Sequence, residues 1–168
     1  MSFIGIIHEN EQHIMKYLFK HFKNRNHTIL CINRENIDNI KNVKFQTILI
    51  INDITKEFEN YDNLKFILKN AANVIMNADI EENLKLLENL EVTVITYGFN
   101  QKSTVIASSV TEEEILICIQ RQMKTIQKKL IEPQEVNINL IQNGLHDNIY
   151  STIGMIVLFL VYGILETS

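Results

Sequence analysis

Short runs of β-branched residues alternate along this chain with stretches in which apolar side chains return every three or four positions. Phe3-Ile4-Gly5-Ile6-Ile7 is the first such run, and its continuous apolar character predicts a buried strand. Behind it Ile14, Leu18 and Phe22, flanked by Met15 and Phe19, keep helical spacing while Lys16, Lys20 and Lys23 fall elsewhere, which predicts an amphipathic helix. Residues 28–32 and 47–51 repeat the apolar pattern as a second and third strand, joined by a short polar connection. Leu64, Ile67 and Leu68 mark a helix before a strand at 73–76, and Leu84, Leu87 and Leu90 mark another before a strand at 92–97. Strands without polar alternation are covered on both faces, so this half predicts a mainly parallel, doubly wound α/β sheet with right-handed crossovers.

The pattern changes after Ser103. Residues 104–107 read as a strand with no helix before the next apolar segment, and residues 111–130 admit two readings. Thr111 and Glu114 fit a capping box ahead of a stripe at Ile115, Ile119, Met123, Ile126 and Leu130. Against that, Ile115, Ile117 and Ile119 alternate with Leu116, Cys118 and Gln120, and Val136, Ile138 and Leu140 alternate with Asn137, Asn139 and Ile141. The last segment, residues 149–165, is apolar all round and long enough for a helix. It is shorter than the ~20 apolar residues of a membrane span and lacks flanking Lys or Arg. A helix of this kind is covered on more than one face, by its own core or by a partner, and a homodimer through it is an expectation. Pro133 is the only proline, and neither a Gly/Ser linker nor a repeat interrupts residues 1–168, which predicts one domain.

Composition narrows the function classes. With 46% hydrophobic and 21% charged residues, the chain has the apolar material for one sizeable core. Its formal charge of −4 comes with basic residues scattered rather than gathered, which argues against a nucleic-acid partner. Cys31 and Cys118 are too few for a disulfide framework or a zinc site, and each sits in an apolar run, so both are expected to be buried reduced thiols. The N-terminal residues show no basic stretch followed by a long apolar one, so a cytoplasmic location is expected. His8 and His13 lie near Glu9 and Glu11, but that spacing straddles a strand-to-helix turn and sends the side chains in different directions. His8, His13, His21, His27 and His146 are therefore expected at the surface, with no metal bound. Glu112, Glu113 and Glu114 read as a solvated turn, and no spacing supports a Ser-His-Asp or Cys-His arrangement.

Three separated segments, in order, carry a resemblance. His8-Glu9-Asn10-Glu11-Gln12-His13 follows the first strand, Asn77-Ala78-Asp79 precedes Thr96-Tyr97-Gly98-Phe99, and Gly144-Leu145-His146-Asp147-Asn148-Ile149-Tyr150-Ser151 opens the last helix. Together they resemble the ATP-binding central domain of the Mur ligase family, whose corresponding motifs are G-T-N-G-K-[ST], N-x-D-D with T-Y-G-F, and G-x-H-N-x-Y-N. The first motif has degenerated. Asn10 alone survives, with His8 and Glu11 at glycine positions, Gln12 at the lysine position and His13 at the hydroxyl position.

The resemblance implies a run of antiparallel strands over residues 103–141, and it tips 111–130 toward strands. It also implies that Asn77, Asp79, His146 and Asn148 correspond to groups around the nucleotide pocket. The bland alternative is that Asn77 and Asp79 end a strand and cap the next helix. A working phosphate loop curls with positive φ and presents N–H groups to phosphate beside a lysine, and this chain lacks those parts. The family's flanking domains are not expected within these 168 residues. The expected function is therefore a catalytically inactive Mur-ligase-like domain that acts by binding an unidentified protein partner, as a regulator or scaffold linked to bacterial cell-envelope synthesis. No cofactor is expected. The rivals are a nucleotide or small-ligand sensor that keeps part of the adenine pocket, and a repurposed enzyme built on His8, Glu11 or His13.

Overall fold

A computed structural model of the chain describes residues 1–9, 11–145 and 148–165, with Glu11 by its backbone alone. Its first part alternates as the apolar runs require. β1 (Ser2–Ile7), α1 (Glu11–Phe22), β2 (His27–Cys31), α2 (Ile37–Ile40), β3 (Phe45–Ile50), α3 (Ile54–Glu57) and α4 (Asp62–Asn70) come first. β4 (Asn73–Asn77), α5 (Glu81–Leu87) and β5 (Thr93–Gly98) follow. The remainder holds β6 (Val105–Val110), β7 (Glu114–Ile119), β8 (Met123–Lys124), β9 (Leu130–Ile131), β10 (Gln134–Asn139), α6 (Leu140–Asn143) and α7 (Ile149–Val161).

The main sheet has eight strands in the order β10-β7-β6-β5-β4-β3-β1-β2, and β8 pairs with β9 in a small separate sheet. From β2 through β6 every pairing is parallel. β7 runs antiparallel to both β6 and β10. The antiparallel section expected over 103–141 is thus present, entering at β7.

Both faces of the parallel strands are covered, which is why their sequences show no polar alternation. Ile4, Ile6, Leu49, Ile75, Ile95 and Tyr97 pack on one side with Ile14, Leu18 and Phe22 of α1 and with α7. Ile7, Ile48, Ile50, Val74 and Met76 pack on the other with Ile37 of α2, Leu64, Ile67 and Leu68 of α4 and Leu86 of α5. In α7 every residue from 151 to 161 is buried, across β3, β4 and β5. The chain's own sheet accounts for the apolarity of that helix, so the inference from apolarity to a homodimer through it loses its premise. The helix ends at Val161, short of the expected 165, and Gly163 turns left-handed just beyond it. Among the described residues no helix is long and apolar enough to cross a membrane.

The helical stripe in 111–130 does not form. Ile115, Ile117 and Ile119 are buried and the residues between them are half-buried, the period of a strand. Thr111 does act as a cap, but of a turn. Its Oγ1 accepts from the Glu114 N–H at 2.9 Å, and its own N–H donates to the Glu114 carbonyl at 2.9 Å, which closes the β6–β7 connection. Glu112, Glu113 and Glu114 are exposed there, as expected. Neither Cys31 nor Cys118 is in a disulfide, and both are half-buried rather than buried.

Candidate functional site

The sheet's carboxyl edge, where β1, β3, β4 and β5 end, gathers most of the residues singled out by sequence. Polar groups collect there because strand backbones stop and each orphaned carbonyl or amide needs a partner.

His8 follows β1 and turns to the α7 side. Its Nε2 lies 2.7 Å from Ser151 Oγ in a buried hydrogen bond. The expectation of a surface histidine fails here because a serine in the first turn of α7 supplies a polar partner inside the core. His21 and His27 are half-buried rather than exposed. His21 packs on Phe159 with ring centroids 4.6 Å apart, and His27 meets Tyr162 edge-on at 4.9 Å. Burial is the chief cause lowering the pKa of each. His13 is exposed as expected, its ring edge-on to Tyr17. Gln12 and Glu9 are also exposed, and the Glu9 N–H donates to Asn52 Oδ1 at 3.2 Å. Asn10, His146 and the side chain of Glu11 lie outside the described residues.

Asn77 is buried and braces two strand ends. Its Nδ2 donates to the Ile51 carbonyl at 3.1 Å and its Oδ1 accepts from the Asp79 N–H at 3.0 Å. Asp79 does not cap α5, whose N-cap is Ile80 with no side-chain bond. Its carboxylate instead crosses to the loop after β5. There Oδ2 accepts from the Phe99 N–H at 2.8 Å and Oδ1 from the Asn100 N–H at 3.0 Å.

Gly98 makes this approach possible. Its φ is 149°, and a Cβ there would stand 2.5 Å from Asp79 Oδ1, so any other side chain would push the carboxylate away. The Tyr150 hydroxyl donates to Asp79 Oδ2 at 3.0 Å, and the Tyr150 ring meets Phe99 edge-on at 5.8 Å. Burial first, then the hydrogen bond and the negative charge of Asp79, raise the Tyr150 pKa. Asn148 is the N-cap of α7, its Oδ1 accepting from the Tyr150 N–H at 2.9 Å. The second and third sequence segments therefore meet at one carboxylate, and the first is tied to the third through His8 and Ser151.

Sequence reasoning missed Asn83. This buried side chain accepts from the Ile54 N–H at 3.0 Å and donates to the Asn52 carbonyl at 2.9 Å, fixing the loop after β3. Its signal was available: Asn83 stands three and four residues before Leu86 and Leu87, on the core-facing side of α5.

Between these loops lies a cleft of about 440 Å³ lined by Glu9, Asn52, Asp53, Lys56, Glu57, Asp79, Ile80 and Glu82. Five of those side chains are carboxylic acids and one is a cation. An entering polyphosphate would meet a field of its own sign. Among the described residues no three His, Cys, Asp or Glu side chains converge to hold a metal. The His8–Ser151 pair is buried, Ser151 being 1% exposed. Compared with known proteins, the chain matches no protein-family model and no curated protein.

Proposed function

We propose that the chain is a catalytically inactive binding module of the Mur-ligase central-domain type, working in the bacterial cytoplasm as a regulator or scaffold for a protein partner. The observation that carries this reading is the acidic cleft at the carboxyl edge of the sheet. Open α/β sheets bind their ligands at this edge, and here five carboxylates line it, while His8, Glu11, Gln12 and His13 stand where a nucleotide-binding loop needs glycines, a lysine and a hydroxyl. The amino end of α1 still contributes its dipole, but that is worth only about 0.3–1 kcal/mol at an exposed site. It does not offset the surrounding carboxylates.

The convergence of residues 77–79, 98–99 and 150 on one hydrogen-bonded joint supports the likeness. A link to envelope synthesis follows by analogy with the family. A nucleotide sensor would need Asn77 and Asp79 available to a base, and both are spent on bracing loops. That favours the binding module over the sensor. The burial of α7 in the chain's own core favours a partner surface elsewhere on the domain.

The test is twofold. Purified protein is expected to show no magnesium-dependent ATP hydrolysis, and calorimetry is expected to show no ATP binding that depends on the γ-phosphate, with ADP and UDP-linked sugars, which lack that group, as the comparison. Turnover that disappears in Gln12→Ala or His13→Ala would overturn the proposal in favour of an enzyme.

A further inference from the structure

The opposite edge of the sheet carries a second opening, created by a fork between strands. β6 pairs with β5 only at Tyr97 and Gly98, because it enters beside the last residues of β5 and runs on past them. Residues 93–96 consequently have β4 on one side and no strand on the other. Thr104 closes the apex of the fork: its N–H donates to Thr96 Oγ1 at 2.9 Å, and its carbonyl accepts from the Gln120 N–H at 2.8 Å. Below that apex lies a cavity of about 490 Å³, with Asn73, Thr93, Thr104, Arg121, Gln122 and Lys124 supplying its polar wall. That volume falls in the range of about 300–1,000 Å³ typical of small-molecule sites.

The charge of this wall is opposite to that of the carboxyl-edge cleft. Arg121 and Lys124 stand three residues apart, and neither is ion-paired with a carboxylate among the described residues. The neighbouring acid, Glu132, accepts from Gln122 Nε2 at 2.8 Å and so lies on the same rim, bonded to an amide. Two unpaired cations on one wall repel each other, and an anion placed between them relieves that repulsion. Arg offers a planar fork matched to an oxyanion, Lys adds a compact point charge, and threonine hydroxyls can donate to further oxygens.

We infer that this forked cavity binds a small molecule through a phosphate or carboxylate group, held between Arg121 and Lys124 with the Thr93 and Thr104 hydroxyls beside it. The site is at the amino end of β4 and β5, so it stands or falls independently of the reading given to the carboxyl edge.

Amide NMR titration of the isotopically labelled protein tests it, with inorganic phosphate and glutarate added separately and sodium chloride at matched ionic strength as the reference. The expected result is saturable shifts at residues 93–95, 104 and 121–124 with at least one probe. Response to phosphate alone identifies a phosphorylated ligand, and response to glutarate alone a carboxylated one. Replacing both exposed cations, Arg121→Gln with Lys124→Gln, is expected to weaken binding by about tenfold or more and leave the remaining spectrum intact. The same charge change on α4, Lys65→Gln with Lys69→Gln, is expected to alter affinity by less than about twofold. Shifts that fail to saturate with both probes, or binding that survives loss of Arg121 and Lys124, would overturn the assignment.

Discussion

Replacing Gly98 by alanine loads the joint at which the loops of the carboxyl edge meet. The backbone there has φ 149°, a region close to glycine-only that costs a residue with a side chain about 1–3 kcal/mol. The added Cβ would stand 2.5 Å from Asp79 Oδ1 and 2.7 Å from its Cγ. The carboxylate must then swing away from the Phe99 and Asn100 amides and the Tyr150 hydroxyl. Hydrogen bonds to a charged acceptor contribute about 1.5–3 kcal/mol each, but exposed loop amides recover water, so displacing the carboxylate costs about 2 kcal/mol in all. Gly98→Ala should therefore cost about 3–5 kcal/mol, which for a domain of this size lowers Tm by about 6–20 °C. Asp79→Ala alone should cost about 2 kcal/mol. Once the carboxylate is gone the clash is gone, and only the backbone cost is added. The double variant should then lose about 3–5 kcal/mol rather than the about 5–7 of simple addition. Urea unfolding of the four proteins, followed by circular dichroism, measures the difference. Losses that add within about 0.5 kcal/mol would show that Gly98 does not act through Asp79.

Two further outcomes follow from the core. Gly154 of α7 faces the sheet so closely that a Cβ there would lie 2.8 Å from the Tyr97 hydroxyl oxygen, so Gly154→Ala should destabilise by about 1–3 kcal/mol. Tyr97→Phe, which removes that oxygen, should restore much of the loss in thermal melts, and no rescue would refute the contact. Tyr162 lies against β3, its hydroxyl donating to Thr47 Oγ1 at 2.9 Å, and burial pushes its pKa from the ordinary 10.0 up to about 12. The folded state holds this proton more tightly than the unfolded one. Stability is thus fully present below pH 10.0 and falls between there and about 12, by up to about 1.4 kcal/mol per pH unit. Alkaline unfolding of Tyr162→Phe should show a shallower slope, and an unchanged slope would rule Tyr162 out as its source.

The elements readable from sequence were those whose burial repeats over many residues. β1, β3, β4 and β5 could be found because each is apolar on both faces, and α1, α4 and α7 because each presents a long stripe or a wholly apolar surface. α2, α3 and α6 could not, since four residues hold no period. The fork between β5 and β6 was equally hidden, because the offset between two strands is set by the loop and the sheet rather than by the pattern of either strand. At the carboxyl edge the sequence marked Asn77, Asp79 and Gly98 but not the bond between Asp79 and the following loop. A capping role and a loop-bracing role demand the same residue type, and only the direction of the carboxylate separates them. His8 misled for a related reason. Polarity predicts exposure unless a partner is buried with it, and that partner, Ser151, lies 143 residues away in the chain.

The place of α7 in the chain imposes an order on folding. Leu49, Ile75, Ile95 and Tyr97 on β3, β4 and β5 pack beneath it, yet residues 149–161 are synthesised after every strand of the sheet. A growing chain can pair β1 through β5 and cover one face with α2, α4 and α5, while the other face stays partly open to water. Such a half-covered sheet exposes the apolar surface and strand edges that drive aggregation. Closing it requires contacts of long sequence separation, the slow class in folding kinetics. Until α7 joins it, the nascent sheet is therefore expected to be adhesive.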